Sequence, residues 1–131
     1  MNQKMTAFVV SISIVLVAGT LILVSNKSSH TNDANADNVS VTDGKQTIAI
    51  SAKGGYSPRV TTAKAGLPTV IKMDTKGTFD CSSAVVIPSL SYRKNLPPSG
   101  ETLIDLPPQQ VGTKLQGLCA MGMYNFVVNF N

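Results

Sequence analysis

Four sulfur-bearing residues are the part of the sequence best suited to chemistry. Cys119, Met121 and Met123 occupy every second position of the run Cys-Ala-Met-Gly-Met, and Cys81 lies upstream, just before the apolar stretch AVVI. Thiolates and thioethers are soft donors, and together they select Cu(I) over harder ions. A closed zinc site would need four Cys or His ligands, and the chain has only two cysteines. One interpretation of the four sulfurs is therefore a Cu(I) site.

The number of ions that such a site would hold is open at this point. Cu(I) accepts two or three ligands, so the two thiolates could bind one ion alone. If the same thiolates bridged to a second Cu(I), the two thioethers could complete that ion and the core of the cluster would be neutral. Because thioethers are weaker donors than thiolates, the second ion would be the looser one.

Two alternatives without a metal also fit these residues. Cys81 and Cys119 could form a disulfide, because two cysteines suffice for one bridge. Met121 and Met123 could fill gaps in the core, as methionine often does. However, a Met-Gly-Met run that begins two residues after a cysteine, in a loop with glycine, is an unusual way to fill a core.

Catalytic and electron-transfer sites are disfavoured by the absence of imidazole. The only histidine is His30, in a polar stretch far from any other candidate ligand. A blue-copper site needs two His and one Cys, and Ser-His-Asp or Cys-His catalysis also needs an imidazole close by. The sequence has no Gly-rich phosphate loop, and nothing singles out a carboxylate pair. We therefore expect no enzymatic activity.

Short strands must position the sulfur residues. Alternating or β-branched runs separated by Gly and Pro turn signals occur throughout residues 45–131, and none of this part has a sustained helical period. The predicted strands are 47–51, 60–62, 69–73, 84–87, 101–106 and 124–130. Many short strands at close spacing predict an all-β fold, an antiparallel sandwich or small barrel.

Two segments of different composition precede this domain. Residues 1–24 include an uncharged apolar run from Met5 to Val24, which as a helix would span about 30 Å, the hydrocarbon thickness of a bilayer. A cleaved signal peptide is the alternative, although the run is long for one. Residues 25–44 are rich in Ser, Asn, Asp and Thr and predict a flexible linker. We expect a single-pass anchor in the plasma membrane, with an orientation that the flanking lysines do not settle.

The run from Gly54 to Phe130 resembles the cupredoxin-type domain of bacterial copper-handling proteins. The resemblance rests on five short stretches, which are Gly55-Tyr56-Ser57-Pro58, Ala65-Gly66-Leu67-Pro68, Cys81 with Val85-Val86-Ile87-Pro88, Arg93-Lys94-Asn95-Leu96-Pro97, and Cys119 through Met123. With the helix and the linker included, the chain is similar to the CupA-type family of membrane-anchored Cu(I) chaperones. Ala120 departs from the pattern, because relatives commonly carry Gly there.

The resemblance implies a Greek-key sandwich or barrel and a binuclear Cu(I) site formed by Cys81, Cys119, Met121 and Met123. It also implies copper buffering in copper resistance and transfer to the cupredoxin-like metal-binding domain of a copper-exporting P-type ATPase. We expect no nucleic-acid partner.

Residues 45–131 carry nine Lys and Arg against four Asp and Glu, a balance that would steer an acidic partner. The resemblance implies a partner domain that faces the cytoplasm, and a reducing compartment would also keep the cysteines as thiols. We therefore expect the domain to face the cytoplasm. The alternatives are an extracytoplasmic cupredoxin-like electron-transfer or oxidase-assembly protein and a purely structural β-domain with one disulfide.

Overall fold

A computed structural model describes residues 37–131, which belong to one compact unit. They form two five-stranded sheets. The strands are β1 (Val39–Thr42), β2 (Lys45–Ala52), β3 (Tyr56–Ser57), β4 (Val60–Ala63), β5 (Thr69–Lys76), β6 (Ala84–Ile87), β7 (Tyr92–Asn95), β8 (Ser99–Leu106), β9 (Lys114–Cys119) and β10 (Asn125–Phe130). Two 3-10 turns, Cys81–Ser83 and Pro88–Leu90, flank β6. The predicted anchor at 1–24 lies outside the described residues, and no helix within residues 37–131 is long and apolar enough to cross a membrane.

The first sheet has the order β1-β2-β5-β8, with β3 paired to the end of β2, and the second has the order β4-β10-β9-β6-β7. The all-β prediction is confirmed, and each of the six predicted strands is present. The expectation of a purely antiparallel arrangement is wrong, because β2 pairs with β5 and β4 pairs with β10 in parallel. Alternating side chains show which face of a strand is buried and carry no information about the direction of its neighbour.

The core lies between the two sheets and is built by alternation along the strands. The burial pattern of β2 places Ile48 and Ile50 inside, and β10 contributes Phe126, Val128 and Phe130. Each of these five side chains is at most 2% exposed. Each sheet thus buries its apolar face against the other sheet.

The folded domain begins before Lys45, within the segment 25–44 predicted as a linker. β1 pairs antiparallel with β2, and the turn between them is Asp43-Gly44, both with positive φ (51° and 75°). Asp-Gly with this conformation is a strong hairpin turn, since it matches the twist of the strands that it joins. The strand β1 escaped prediction because three of its four residues are exposed and its two valines follow a long polar stretch.

Candidate metal centre

The two cysteines meet in the folded domain. Cys81 begins the 3-10 turn after β5, and Cys119 is the last residue of β9. Val85 of β6 is the direct partner of Cys119 across the sheet, which brings the start of β6 to the end of β9. The two residues form a disulfide with a Cα–Cα distance of 5.7 Å across a sequence separation of 38. The disulfide that the sequence left open is therefore present, and metal binding through thiolates requires its reduction.

Asp80 fixes the loop that carries Cys81. Its carboxylate accepts hydrogen bonds from the backbone N–H of Ser82 (2.8 Å), from the Ser82 hydroxyl and from the backbone N–H of Gly54 (2.9 Å). The Ser82 hydroxyl first, and then the two N–H groups, hold the pKa of Asp80 below its usual range. Sequence reasoning missed this residue, although an Asp placed two residues before a Ser at the start of a turn is a recognisable cap.

Cys119 lies in a buried and hydrogen-bonded position. Its side chain is 2% exposed, and the backbone N–H of Tyr124 donates to its Sγ over 3.3 Å. The chain turns back after Cys119 through Gly122, whose φ is +71°, and the Gly122 N–H donates to the Cys119 carbonyl. An N–H that points at sulfur stabilises a thiolate more than a thiol. The reduced Cys119 would therefore have a ready partner for its negative charge.

Met121 and Met123 project from this turn into solvent. They are 78% and 63% exposed, in contrast with Met73 on β5, which is 0% exposed. The core-filling alternative is therefore wrong for Met121 and Met123. Two exposed thioethers thus flank Gly122 shortly after Cys119, and both lie outside the hydrophobic core.

An aromatic pair packs beside the turn that carries Cys81. Tyr56 and Phe126 stack edge to face with ring centroids 5.2 Å apart, and the Tyr56 hydroxyl donates to the carbonyl of Ala84 beside the Cys81 turn. Burial, and to a lesser extent the charge of Asp80, raises the pKa of Tyr56 to about 12. A Cβ on Gly117 would collide with the Phe126 ring. The absence of a side chain at Gly117 therefore leaves the space that the Phe126 ring occupies.

Comparisons with known proteins agree with this architecture. The model of the cupredoxin-like domain family matches residues 13–128. The chain belongs to the cupredoxin-like domain family. No curated protein matches it.

Two solved structures share this cupredoxin-like fold. One is a copper binding protein solved in solution by NMR in the apo form, with a TM-score of 0.64 and 26% identity, covering 71% of this chain and 94% of that chain. The other is the metal binding domain of the Streptococcus pneumoniae D39 Cu(I) exporting P-type ATPase CopA, with Cu(I). Its TM-score is 0.63 at 22% identity, covering 71% of this chain and 92% of that chain.

The described residues offer sulfur as the donor at the end of β9. Within residues 37–131 no group of three His, Cys, Asp or Glu is placed to hold a metal ion. His30, the only histidine in the sequence, lies outside the described residues. The two Cys and the two exposed Met at one end of β9 fit a soft monovalent ion and do not fit a blue-copper centre.

Proposed function

We propose that the domain binds Cu(I) through Cys81 and Cys119, once these are reduced, together with Met121 and Met123. The observation that carries the proposal is the pair of exposed thioethers in the turn after Cys119, whose sulfur is within bonding distance of that of Cys81. An exposed methionine side chain contributes little free energy of burial to folding, whereas its thioether can serve as a soft metal ligand. The printed descriptions of the two solved relatives, one a copper binding protein and one a domain with Cu(I), support the same ion.

We infer a capacity of two Cu(I) ions. The two thiolates can hold one ion, and the same sulfurs can share a second ion that the thioethers complete. Two thiolates and two Cu(I) ions give a neutral core, which favours burial of the cysteine end of the site. The ion that depends on the neutral thioethers is the weaker of the two.

The proposed role is that of a membrane-anchored Cu(I) chaperone or buffer in copper resistance. Transfer to a partner by ligand exchange needs donors that the partner can reach, and Met121 and Met123 meet this need. The likeness of the fold to the metal-binding domain of a Cu(I) exporting ATPase supports a copper-exporting ATPase as the recipient. The membrane anchor and a cytoplasmic location remain proposals that rest on the sequence.

A structural β-domain with one disulfide is a second candidate, which the observed Cys81–Cys119 bond favours. In that case the bond would link the end of β9 to the 3-10 turn before β6, and the methionines would have no role in binding. This candidate and the copper site differ in what reduction does. Reduction merely weakens a structural domain, whereas it creates the ligands of a Cu(I) site.

An anaerobic Cu(I) titration of residues 37–131 tests the proposal. The hydrophobic core lies within this segment, and each relative consists almost wholly of the matched domain, so we expect the segment to fold alone. The reduced protein should compete with a Cu(I)-specific chelator, take up two ions, and show an ultraviolet thiolate-to-Cu(I) band with no intense visible band. A visible blue-copper band would contradict the assignment.

Variants assign the ligands. Cys81→Ser or Cys119→Ser should abolish tight binding, because each removes a thiolate that both ions share. Changing both Met121 and Met123 to Leu should leave one tight ion. The matched control is Met73→Leu, which changes a buried methionine of β5 and should leave both ions in place. Unchanged stoichiometry in the double Met variant would eliminate the thioether ligands, and harmless Cys variants would eliminate the whole proposal.

Labelling of the full chain in intact, copper-starved cells tests the side of the membrane. A membrane-impermeant thiol reagent should fail to label Cys81 and Cys119 until the cells are opened. Rapid labelling from outside would overturn the cytoplasmic location and favour the extracytoplasmic alternative. Labelling under reducing and non-reducing conditions distinguishes protected thiols from a disulfide.

A further inference from the structure

A cavity of about 420 Å³ lies beside the turn that carries the methionines. It forms where the loop after β2 approaches the residues that lead into β10, and it is open to solvent. The lining residues that matter here are Lys53, Gly54 and Arg59 on one side and Met123 and Tyr124 on the other. The volume lies within the range of roughly 300–1,000 Å³ that is usual for small-molecule sites.

The lining of the cavity includes two cationic residues and no acidic one. These are Arg59 and Lys53, whose ammonium lies near Gly77 at the end of β5. Within residues 37–131 the ion pairs are made by Lys45 and Lys72, so neither wall cation is neutralised by a salt bridge there. Asp80 is the acidic residue tied to the wall, and it is engaged by the N–H of Gly54. A ligand that complements this wall carries negative charge.

Met123 belongs both to the cavity and to the proposed copper site. Its side chain lines the cavity and is 63% exposed. The next residue, Tyr124, also lines the cavity, and its backbone N–H donates to Cys119 Sγ. A small anion in this cavity would therefore share its walls with a soft thioether, one residue from the N–H group that contacts the cysteine.

The ligand that suits both the two cationic residues and the proposed copper ligand Met123 is an anion that also carries soft sulfur. Thiolate sulfur is the favoured partner of Cu(I), so a small thiol with carboxylate groups can present Cu(I) as an anionic complex. We propose that this cavity binds an anionic low-molecular-weight thiol that brings Cu(I) to the domain, and that Met123 is the first protein ligand of the incoming ion. This inference rests on the proposed function and names the donor of its ion.

The transfer step is a ligand exchange without electron transfer. Copper remains Cu(I) throughout, while one bond from copper to the carrier sulfur breaks and one bond to the Met123 thioether sulfur forms. The carrier sulfur keeps its electron pair and leaves as a thiolate. Lys53 and Arg59 hold the carboxylates of the carrier during the exchange and are positioning residues.

The first experiment tests the cavity without copper. S-Methylglutathione, which has the two carboxylates of a thiol tripeptide but no free thiol, is titrated into copper-free, disulfide-bonded residues 37–131 and followed by NMR. We expect shifts confined to the amides of residues 53–59 and 123–125. Each of Lys53→Gln and Arg59→Gln should weaken binding by about two- to five-fold, the upper part of the range for loss of one exposed charge pair. Binding should also weaken as salt rises.

Lys114→Gln provides the matched control for charge, because Lys114 is at the opposite end of β9 from Cys119. It removes the same charge and should change binding less than two-fold. An equal loss in all three variants would reduce the effect to net charge and overturn the inference. The absence of localised shifts in the unaltered protein would do the same.

The second experiment measures loading of the reduced protein by stopped flow, with Cu(I) supplied either as its glutathione complex or as its cationic acetonitrile complex. The Lys53→Gln, Arg59→Gln double variant should load at least about ten-fold more slowly from the anionic carrier and no more slowly from acetonitrile, because the lost charges attract the first complex and repel the second. An unchanged rate from glutathione, or equal slowing with both donors, would overturn the carrier role. Failure of the unaltered protein to take Cu(I) from acetonitrile would instead refute the proposed function, and the first experiment would still decide whether the cavity binds the anion.

Discussion

Reduction of the Cys81–Cys119 disulfide should destabilise the domain by about 4 kcal/mol. The bond closes a loop across a sequence separation of 38, and loop-closure entropy for a loop of about that length gives about 4 kcal/mol at 25 °C. In a domain of this size, that loss corresponds to a fall in Tm of roughly 15–30 °C. The core built from both sheets is untouched by reduction, so the reduced domain should still fold at room temperature.

The assay is urea denaturation of residues 37–131 with and without a phosphine reductant, followed by circular dichroism. The control is the Cys81→Ser, Cys119→Ser double variant, which should resemble the reduced protein and be indifferent to the reductant. A loss below about 1 kcal/mol in the unaltered domain would refute the argument, since the entropy of a closed loop could not then be present. An equal loss in the double variant would show that the reductant acts elsewhere.

Binding of Cu(I) should restore the stability that the domain loses when its disulfide is reduced. An ion that binds only the folded state adds about 4 kcal/mol when its free concentration is about a thousand times its Kd. The reduced domain with buffered Cu(I) should therefore approach the stability of the disulfide form, and the double Ser variant should gain little. If Cu(I) stabilised both proteins equally, the cysteines would not be the ligands.

Three further predictions concern the scaffold of the site. Gly117→Ala should destabilise the domain by about 3 kcal/mol in urea denaturation, because the added methyl collides with the buried ring of Phe126; adding Phe126→Leu should recover part of the loss. Gln46→Leu should cost about 3 kcal/mol in the same assay, since it leaves the N–H and C=O of Lys64 without their side-chain partners. Tyr56→Phe should remove a dependence of stability on alkaline pH. The folded-state pKa of Tyr56 is about 12 against the ordinary 10.0, so its contribution is complete below pH 10, declines as pH rises towards 12 and amounts to up to about 2–3 kcal/mol; equal alkaline slopes in both proteins would contradict this assignment.

Strands with a buried face could be predicted from the sequence, and strands without one could not. Alternation in β2 and β10 reflects burial on one side, which the sequence records directly. β7 carries Tyr-Arg-Lys-Asn with an almost wholly exposed pattern at the edge of its sheet. Charged edge strands discourage pairing with other molecules, and for that reason they lack the apolar signal on which strand prediction depends.

The sequence identified the sulfur residues of the candidate site but not their state or their supports. The chemistry of Cys and Met is a property of the residue type, so Cys81 and Met121 were visible at once. The disulfide, the N–H of Tyr124 on Cys119 and the cation-lined cavity depend on which backbones lie side by side. Local pattern carries no information of that kind. Cys119 is buried and the two methionines are exposed because β9 ends at Cys119. The residue at which a strand ends is not encoded in a short motif.

The position of β10 has a consequence for the order in which the protein assembles during synthesis. β10 lies between β4 and β9, and it pairs Val127 with Val60 from much earlier in the chain. Non-local pairings of this kind slow folding, since the loop must close before its contacts form. Ribosomes add roughly 5–20 residues per second from the N-terminus, so both cysteines are made before the strand that completes their sheet. Cys119 is therefore synthesised before β10, and β9, the strand that it ends, gains both of its neighbours in the sheet only after the chain has been made through β10.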